Sequence, residues 1–424
     1  MRDLCEFLFS VCLFGSPTVE EHGNYSLPKC KSEISRREAF SLLSILCQNN
    51  EQDFKNLMQL VCNHHINNNF RNFSIWPYSD SRSKEGYVGL NNLGNICYLN
   101  SFMQQLYTTP HFVQALLSIE PPERENKEKE DVLDSDLQML EELKVLMASL
   151  HESKLRAFTP TKFCESFRDF EGNSIDVYVQ QDAQEFFGSL CDKLHTVLTP
   201  TKNKMLLDKF FRGFQVNQVK SKECEHTSSR EEPFFTYGVE VNRKNNLLDA
   251  LEDSMKGEML AGENKYKCEK CNGYVDALKR STIRILPNTL IIQLKRFDFN
   301  FETMQKDKLN CFFQFPDDLD MKKFTEEGIS FAEGNSNVLF QDDSYYQYKL
   351  KGVVIHRGST ADSGHYYSFI KEPREGKWLE FNDEIVRPFD HNVRKEFFLI
   401  FFFIFFYFFY FLFFFFIFFD FFFF

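Results

Sequence analysis

At 424 residues and 43% hydrophobic content, the chain can bury a large core, reads as globular to about residue 396, and has length for roughly two to four folding units. A formal net charge of −12, with no basic block able to neutralise a phosphate backbone, excludes a general nucleic-acid binder and is compatible with a basic partner. Twelve unevenly spread cysteines read as intracellular thiols and metal ligands rather than a disulfide framework, which sets the chain in a reducing compartment, the cytoplasm or also the nucleus.

The start carries an apolar patch (Leu8, Phe9, Val11, Leu13, Phe14), but Asp3 and Glu6 interrupt it and the charged leader region is poor, so it does not read as a signal peptide. From Ser35 to about His65, apolar residues recur at helical spacing: Phe40, Leu43 and Leu46, then Phe54, Leu57, Met58 and Val61. A helical pair is predicted, either the last unit of a longer helical array or an extension packed on the next domain. Residues 66–86 are polar and read as a linker, giving a first region of 1–86 and a second domain of 87–396. Glu120 to Asp136, with two prolines and dense charge, is predicted to be an exposed loop. Helices are predicted over Leu137–His151 and Asp182–Leu198, and strands over Thr289–Phe299 and Tyr345–Ile355. Helices first and strands later point to an α+β fold.

Gly89 to Leu106 joins a glycine-punctuated turn to a helix whose apolar face is Leu99, Phe102, Met103 and Leu106. That puts Cys97 at a helix N-terminus, where unpaired N–H groups and the dipole favour a thiolate and can donate to an oxyanion. Asn92, just before the turn, is positioned to offer a side-chain donor to the same oxyanion. A second segment, Gly358 to Phe369, sets His365 after a glycine-containing loop at the start of an aromatic strand, and Asn382 follows 17 positions later. A histidine facing a cleft, with a polar residue on the neighbouring strand to hold its other ring nitrogen, suits a general base. His356 reads as structural. Asp182, in Gln180-Gln181-Asp182-Ala183-Gln184-Glu185-Phe186, is a good helix N-cap, which alone could explain it. Cys224-Glu225-His226 and Cys268-Glu269-Lys270-Cys271 together offer the three thiolates and one imidazole of a closed tetrahedral zinc site, the alternative being free cysteines on a surface loop.

The string Gly89-Leu90-x-Asn92-x-Gly94-x-x-Cys97-Tyr98-x-Asn100 leading to Gln104-Gln105-Leu106 resembles the cysteine box of the ubiquitin-specific proteases, departing at Asn95-Ile96. The Gly364-His365-Tyr366 and Trp378-to-Asp383 segments are similar to that family's histidine box, and Leu294-Lys295-Arg296-Phe297 and Phe315-Pro316 follow in family order. The resemblance runs from about Tyr87 to Phe389. It implies a papain-like architecture with helical thumb, β-rich palm and zinc-binding β fingers, and hydrolysis after the C-terminal glycine of ubiquitin. Cys97 would be the nucleophile, His365 the base, Asn382 its orienting partner and Asp383 an auxiliary. Asp182 and Glu185 would contact the arginine-containing ubiquitin tail, and Cys224, His226, Cys268 and Cys271 would hold structural zinc. Ubiquitin and ubiquitinated proteins are the implied partners of a monomeric catalytic domain. The entry region and the preceding helices look most like the very large fat-facets-like members.

Of the last 28 residues, Phe397 to Phe424, 20 are Phe. The run is long enough to span a bilayer, but its near-homopolymer composition reads as translation of a T-rich non-coding stretch and not as a genuine tail. The family's final core strand is therefore expected to be absent, and a catalytically impaired ubiquitin-binding scaffold is the alternative function.

Overall fold

The computed structural model describes residues 2–14, 29–30, 32–48, 50–67, 81–120, 134–169, 171–300, 304–335, 337–358, 360, 363–389 and 401–408. Most of the expected linker (68–80) and of the charged loop (121–133) lies outside the described residues. The chain divides into two compact units, Met1–Ser83 with Lys154–Ala157, and Lys84–Ser153 with Phe158–Phe424.

The first unit holds the predicted helical pair, α1 (Glu33–Gln48) and α2 (Glu51–Asn67). Asn50 caps α2, its Oδ1 accepting from the Gln52 and Asp53 amides at 3.0 and 3.2 Å. Cys5, Leu8, Cys12, Leu13, Ala39 and Leu43 form its small core. The expected apolar stripe is only partly used: Leu43 is buried, yet Phe40, Phe54, Met58 and Val61 stay 41–51% exposed. The apolar patch at residues 8–13 supplies cover instead, because a two-helix face is too small to bury itself.

The second unit is α+β and papain-like. Its helical layer contains α3 (Cys97–Tyr107), α4 (Asp134–Glu152) and α5 (Ala183–Leu198). Asp182 caps α5, its Oδ1 accepting from the Gln184 amide at 2.8 Å, and Ala183, Phe186, Phe187, Leu190 and Leu194 are all buried as predicted. Helix α3 departs from its amphipathic pattern, because Asn100, Ser101, Gln104 and Gln105 are buried along with the apolar face. The two glutamines reach distant acceptors: Gln104 Nε2 donates to Val88 O at 2.9 Å, and Gln105 Nε2 to Val353 O at 3.3 Å. Burial of these amides is offset by the bonds of their Nε2 groups, although Gln104 Oε1 is buried without a hydrogen-bond partner.

An eight-stranded sheet lies beside this layer among the described residues. Its order is Ile385–Pro388, Trp378–Asn382, His365–Lys371, Gln347–Arg357, Phe401–Phe408, Thr289–Lys295 and Tyr237–Glu240, with Asp318–Asp320 also pairing Gln347–Arg357. The strand Phe401–Phe408 runs antiparallel to both neighbours, Ile404 standing opposite Ile292 and Val353. Ile404, Phe405 and Phe406 are fully buried, and the Tyr407 hydroxyl meets Thr109 Oγ1 at 2.6 Å. Phe405 packs on Phe102 of α3, while Ile404 and Phe406 enter the core on the other face.

This corrects the expectation of an absent final strand. A strand buried on both faces needs no polar alternation, only apolar residues that suit a pleated surface. Phe, Ile and Tyr meet that need at every position, so a run without period still forms a core strand. Among the described residues, no helix is long and apolar enough to cross a membrane. A four-stranded sheet, ordered Thr227–Phe234, Gly213–Ser221, Ala277–Ile285 and Glu258–Leu260, and the ribbon Tyr266–Cys268/Gly273–Val275 complete the strands that carry the thiol cluster.

Candidate active site

The turn before α3 is pinned by its own amides. Asn92 Oδ1 accepts from the Gly94 and Ile96 N–H groups at 3.0 and 3.2 Å, and the Asn95 N–H donates to Val177 O at 2.6 Å. Cys97 thus opens α3, where the first amides have no carbonyl of the preceding turn to bond. Its side chain is buried, and Sγ accepts from the Tyr366 backbone N–H at 3.4 Å and from Gln180 Nε2 at 3.5 Å. The sulfur thus faces two hydrogen-bond donors at the positive end of a helix.

His365 begins its strand and Asn382 ends the adjacent one, so the two meet across the ladder, His365 Nε2 lying 2.7 Å from Asn382 Oδ1. With Nε2 committed there, Nδ1 is the nitrogen left to exchange a proton with Cys97. Contact with Cys97 first, then the Asn382 bond and the charges of Cys97 and Asp383, raise the His365 imidazole to about 9 against the effect of burial. The ring is therefore an imidazolium at neutral pH.

Asp383 follows with φ +49°, in the left-handed region. Its carboxylate accepts from Asn92 Nδ2 at 3.0 Å and Asn100 Nδ2 at 2.8 Å, and Oδ2 lies 3.8 Å from His365 Nε2. Its backbone oxygen accepts from the Leu90 N–H at 2.8 Å. Gly89 is required at that crossing, since a Cβ there would lie 2.5 Å from the Glu384 carbonyl carbon. One Asn92 amide proton is thereby directed to Asp383, and the second remains for other use.

His356 is fully buried, as its structural reading requires. The Lys308 ammonium sits 3.0 Å from its Nδ1 and donates to His356 O at 2.9 Å and Gly358 O at 2.7 Å. Burial first, then the charges of Lys308 and His365, push His356 down to about 3, so the ring is neutral. It abuts the backbone entering His365, where a Cβ on Gly364 would lie 2.2 Å from His356 Nε2.

The charges of Asp182 and Glu185 are felt at Tyr366, whose phenol is driven well up by burial, then by Asp182 and, more weakly, by Cys97 and Glu185. Glu185 is exposed. Four contributors escaped the sequence reading: Gln180, Asn100, Lys308 and the Tyr366 amide. Gln180 had a signal, its place in the Gln-Gln-Asp string. Asn100 likewise stood in the cysteine-box string, but its bond to Asp383, 283 positions away, left no local sign.

The thiol cluster gathers Cys224, Cys268 and Cys271, with sulfurs all within 4.8 Å of one another. Cys224 Sγ lies 3.8 Å from Cys268 Sγ, and His226 Nδ1 lies 3.3 Å from the same sulfur. A tetrahedron of Zn–S bonds of about 2.3 Å has edges of about 3.8 Å, so the three thiols are spaced to hold a metal ion such as zinc. The expected fourth donor, His226, meets Cys268 but stands outside the group whose donors all lie within 4.8 Å of one another. The Ser221 hydroxyl, and then Cys271, hold the Cys224 thiol down to about 7.

Comparison with known proteins agrees with this geometry. The family model described as "Ubiquitin carboxyl-terminal hydrolase" matches residues 88–407, a span that ends inside the Phe401–Phe408 strand. Ubiquitin carboxyl-terminal hydrolase 34 of Homo sapiens is 33% identical over 403 residues, covering 92% of this chain and 11% of that protein. Ubiquitin carboxyl-terminal hydrolase 24 of Homo sapiens is 33% identical over 386 residues (86% and 14%), and ubiquitin carboxyl-terminal hydrolase 9X of Mus musculus 32% over 417 residues (84% and 16%). The chain thus spans 11–16% of the length of these relatives. A match over most of its residues, carried through the Cys97 turn and into the last core strand, means that this chain belongs to the ubiquitin carboxyl-terminal hydrolase family.

Proposed function

We propose that this chain is a thiol-dependent deubiquitinase that hydrolyses the isopeptide bond after the C-terminal glycine of ubiquitin. The observation that carries the reading is the trio brought together: Cys97 at a helix start with the Tyr366 amide at 3.4 Å and His365 in contact with it, and His365 bonded to Asn382 at 2.7 Å. In the first step the Cys97 sulfur attacks the glycine carbonyl. The amides at the start of α3 and the second Asn92 N–H hold the oxyanion, and the His365 imidazolium gives its proton to the departing lysine amine. The neutral His365 then takes a proton from water, which attacks the thioester and releases the ubiquitin carboxylate and Cys97.

Asn382 keeps the imidazole in the productive tautomer and Asp383 assists through its charge. Asp182 and Glu185 are matched in charge to an arginine-containing ubiquitin tail. The partners are ubiquitin and ubiquitinated proteins, acting on a single catalytic domain in the cytoplasm or nucleus. Zinc bound by Cys224, His226, Cys268 and Cys271 would supply folding energy to the strands around it and takes no part in the chemistry.

A ubiquitin probe with a cysteine-reactive C-terminus tests this. A covalent adduct lost in Cys97→Ala, with ubiquitin binding retained, is expected. An adduct that persists in Cys97→Ala would sink the assignment, and binding without reaction in the wild type would favour the scaffold.

A further inference from the structure

An asparagine in the orienting position poses a problem that an aspartate does not. Its two ends look alike in size, yet only Oδ1 can accept from the His365 Nε2–H; a flipped amide would set donor against donor. Something must hold the other end. Asn382 Nδ2 donates to Glu380 Oε1 at 3.3 Å, from two residues back on the same face of the same strand. The Glu380 carboxylate is buried to about the extent of the core, its residue 8% exposed. Across the ladder Arg387 stands directly opposite Glu380 and grips it in a fork, Nε to Oε2 at 3.0 Å and Nη2 to Oε1 at 2.9 Å. The fork holds both carboxylate oxygens, so turning the group away from Asn382 works against two charge-assisted bonds.

We propose that Glu380, clamped by Arg387, is a positioning residue that fixes the amide orientation of Asn382 and so delivers His365 to Cys97. The inference rests on the roles assigned to Cys97 and His365 above. It makes a distinctive claim: a symmetric carboxylate at 382 needs no such support. Glu380 should therefore matter to an asparagine and be dispensable to an aspartate.

The experiment compares, in the full chain, wild type, Glu380→Leu, Asn382→Asp and the double variant. Two readouts are taken for each: the rate of Cys97 alkylation by iodoacetamide at pH 7, followed on the Cys97 peptide by mass spectrometry, and turnover of a ubiquitin C-terminal amide. Glu380→Leu is expected to slow both about tenfold in the Asn382 chain and less than twofold in the Asn382→Asp chain, a non-additivity that simple loss of structure would not produce. Arg387→Met, on the exposed partner of the fork, guards against a Leu variant that does not fold. It is expected to slow both readouts about threefold in the Asn382 chain and to leave them unchanged in the Asn382→Asp chain. Equal losses in the two backgrounds, or no loss of alkylation with Asn382, would overturn the proposal. If the alkylation pattern holds while the wild type does not cleave the ubiquitin amide, the positioning role stands and the ubiquitin reading falls.

Discussion

The cleft and the thiol cluster are built by opposite means. The cleft draws Asn92, Cys97, Gln180, Lys308, His365 and Asn382 from distant stretches, and each is fixed by hydrogen bonds to backbone or to a neighbouring side chain. Cys97 lies in the main core and His356 is sealed behind it. The cluster draws three thiols from two short turns; Cys268 is buried, but Cys224 is half-buried and Cys271 exposed. A site set into a core inherits its geometry from folding, whereas one at the ends of two ribbons has too little apolar cover and depends on what it binds.

The largest effect should come from removing the strand on which the cleft's sheet depends. Truncation after Phe389 deletes Phe401–Phe408 from between Gln347–Arg357 and Thr289–Lys295, and is expected to abolish cooperative thermal unfolding; a truncated chain that melts like the full one would break the claim that the cleft is core-built. Next, His365→Ala should lower turnover of a ubiquitin amide by at least ~10⁴-fold with an unchanged melting profile at pH 9.5, measured by steady-state kinetics. Metal removal sharpens the contrast. Chelation should strip hydrogen-exchange protection from Tyr266–Cys268 and Gly273–Val275 while Cys97 alkylation stays within twofold, and equal losses at both sites would erase the distinction.

Smaller effects follow from charge and from single bonds. Because the folded chain raises His365 to about 9, its contribution to stability is fully present below about pH 6.5, the ordinary histidine value, and is lost as pH rises through 9. The denaturation midpoint of wild type should therefore exceed that of His365→Ala at pH 6.5 and converge on it by pH 9.5. Tyr407→Phe, which deletes the hydroxyl bonded to Thr109, should cost about 1 kcal/mol of stability by denaturant titration, with kcat unchanged.

Much of the cleft was legible before any coordinates. Cys97 at a helix start, Asp182 as a cap and His365 paired with Asn382 on the next strand all follow from local spacing and turn chemistry, because each depends on residues near in sequence or on a strand pair whose register one loop sets. The three thiols of the cluster were equally readable, since few residue types bind metal and their spacing is short, whereas the expected fourth donor, His226, meets only Cys268. Asn92 was harder: its Oδ1 turn is local, but the Asp383 carboxylate that takes its Nδ2 is 291 positions away.

The sequence by itself determined which groups could do chemistry, the longer helices of the first half of the chain and the α+β class, because side-chain type and short-range periodicity act over a few residues, while helices such as Leu247–Lys256 went unread. Tertiary structure alone decided three things: that the four polar side chains of α3 are buried and bonded, that the apolar start of the chain is core of its own unit, and that Phe401–Phe408 is the missing strand. Each of these is a question of which surfaces meet, and burial depends on neighbours brought together by the fold, which no local pattern encodes.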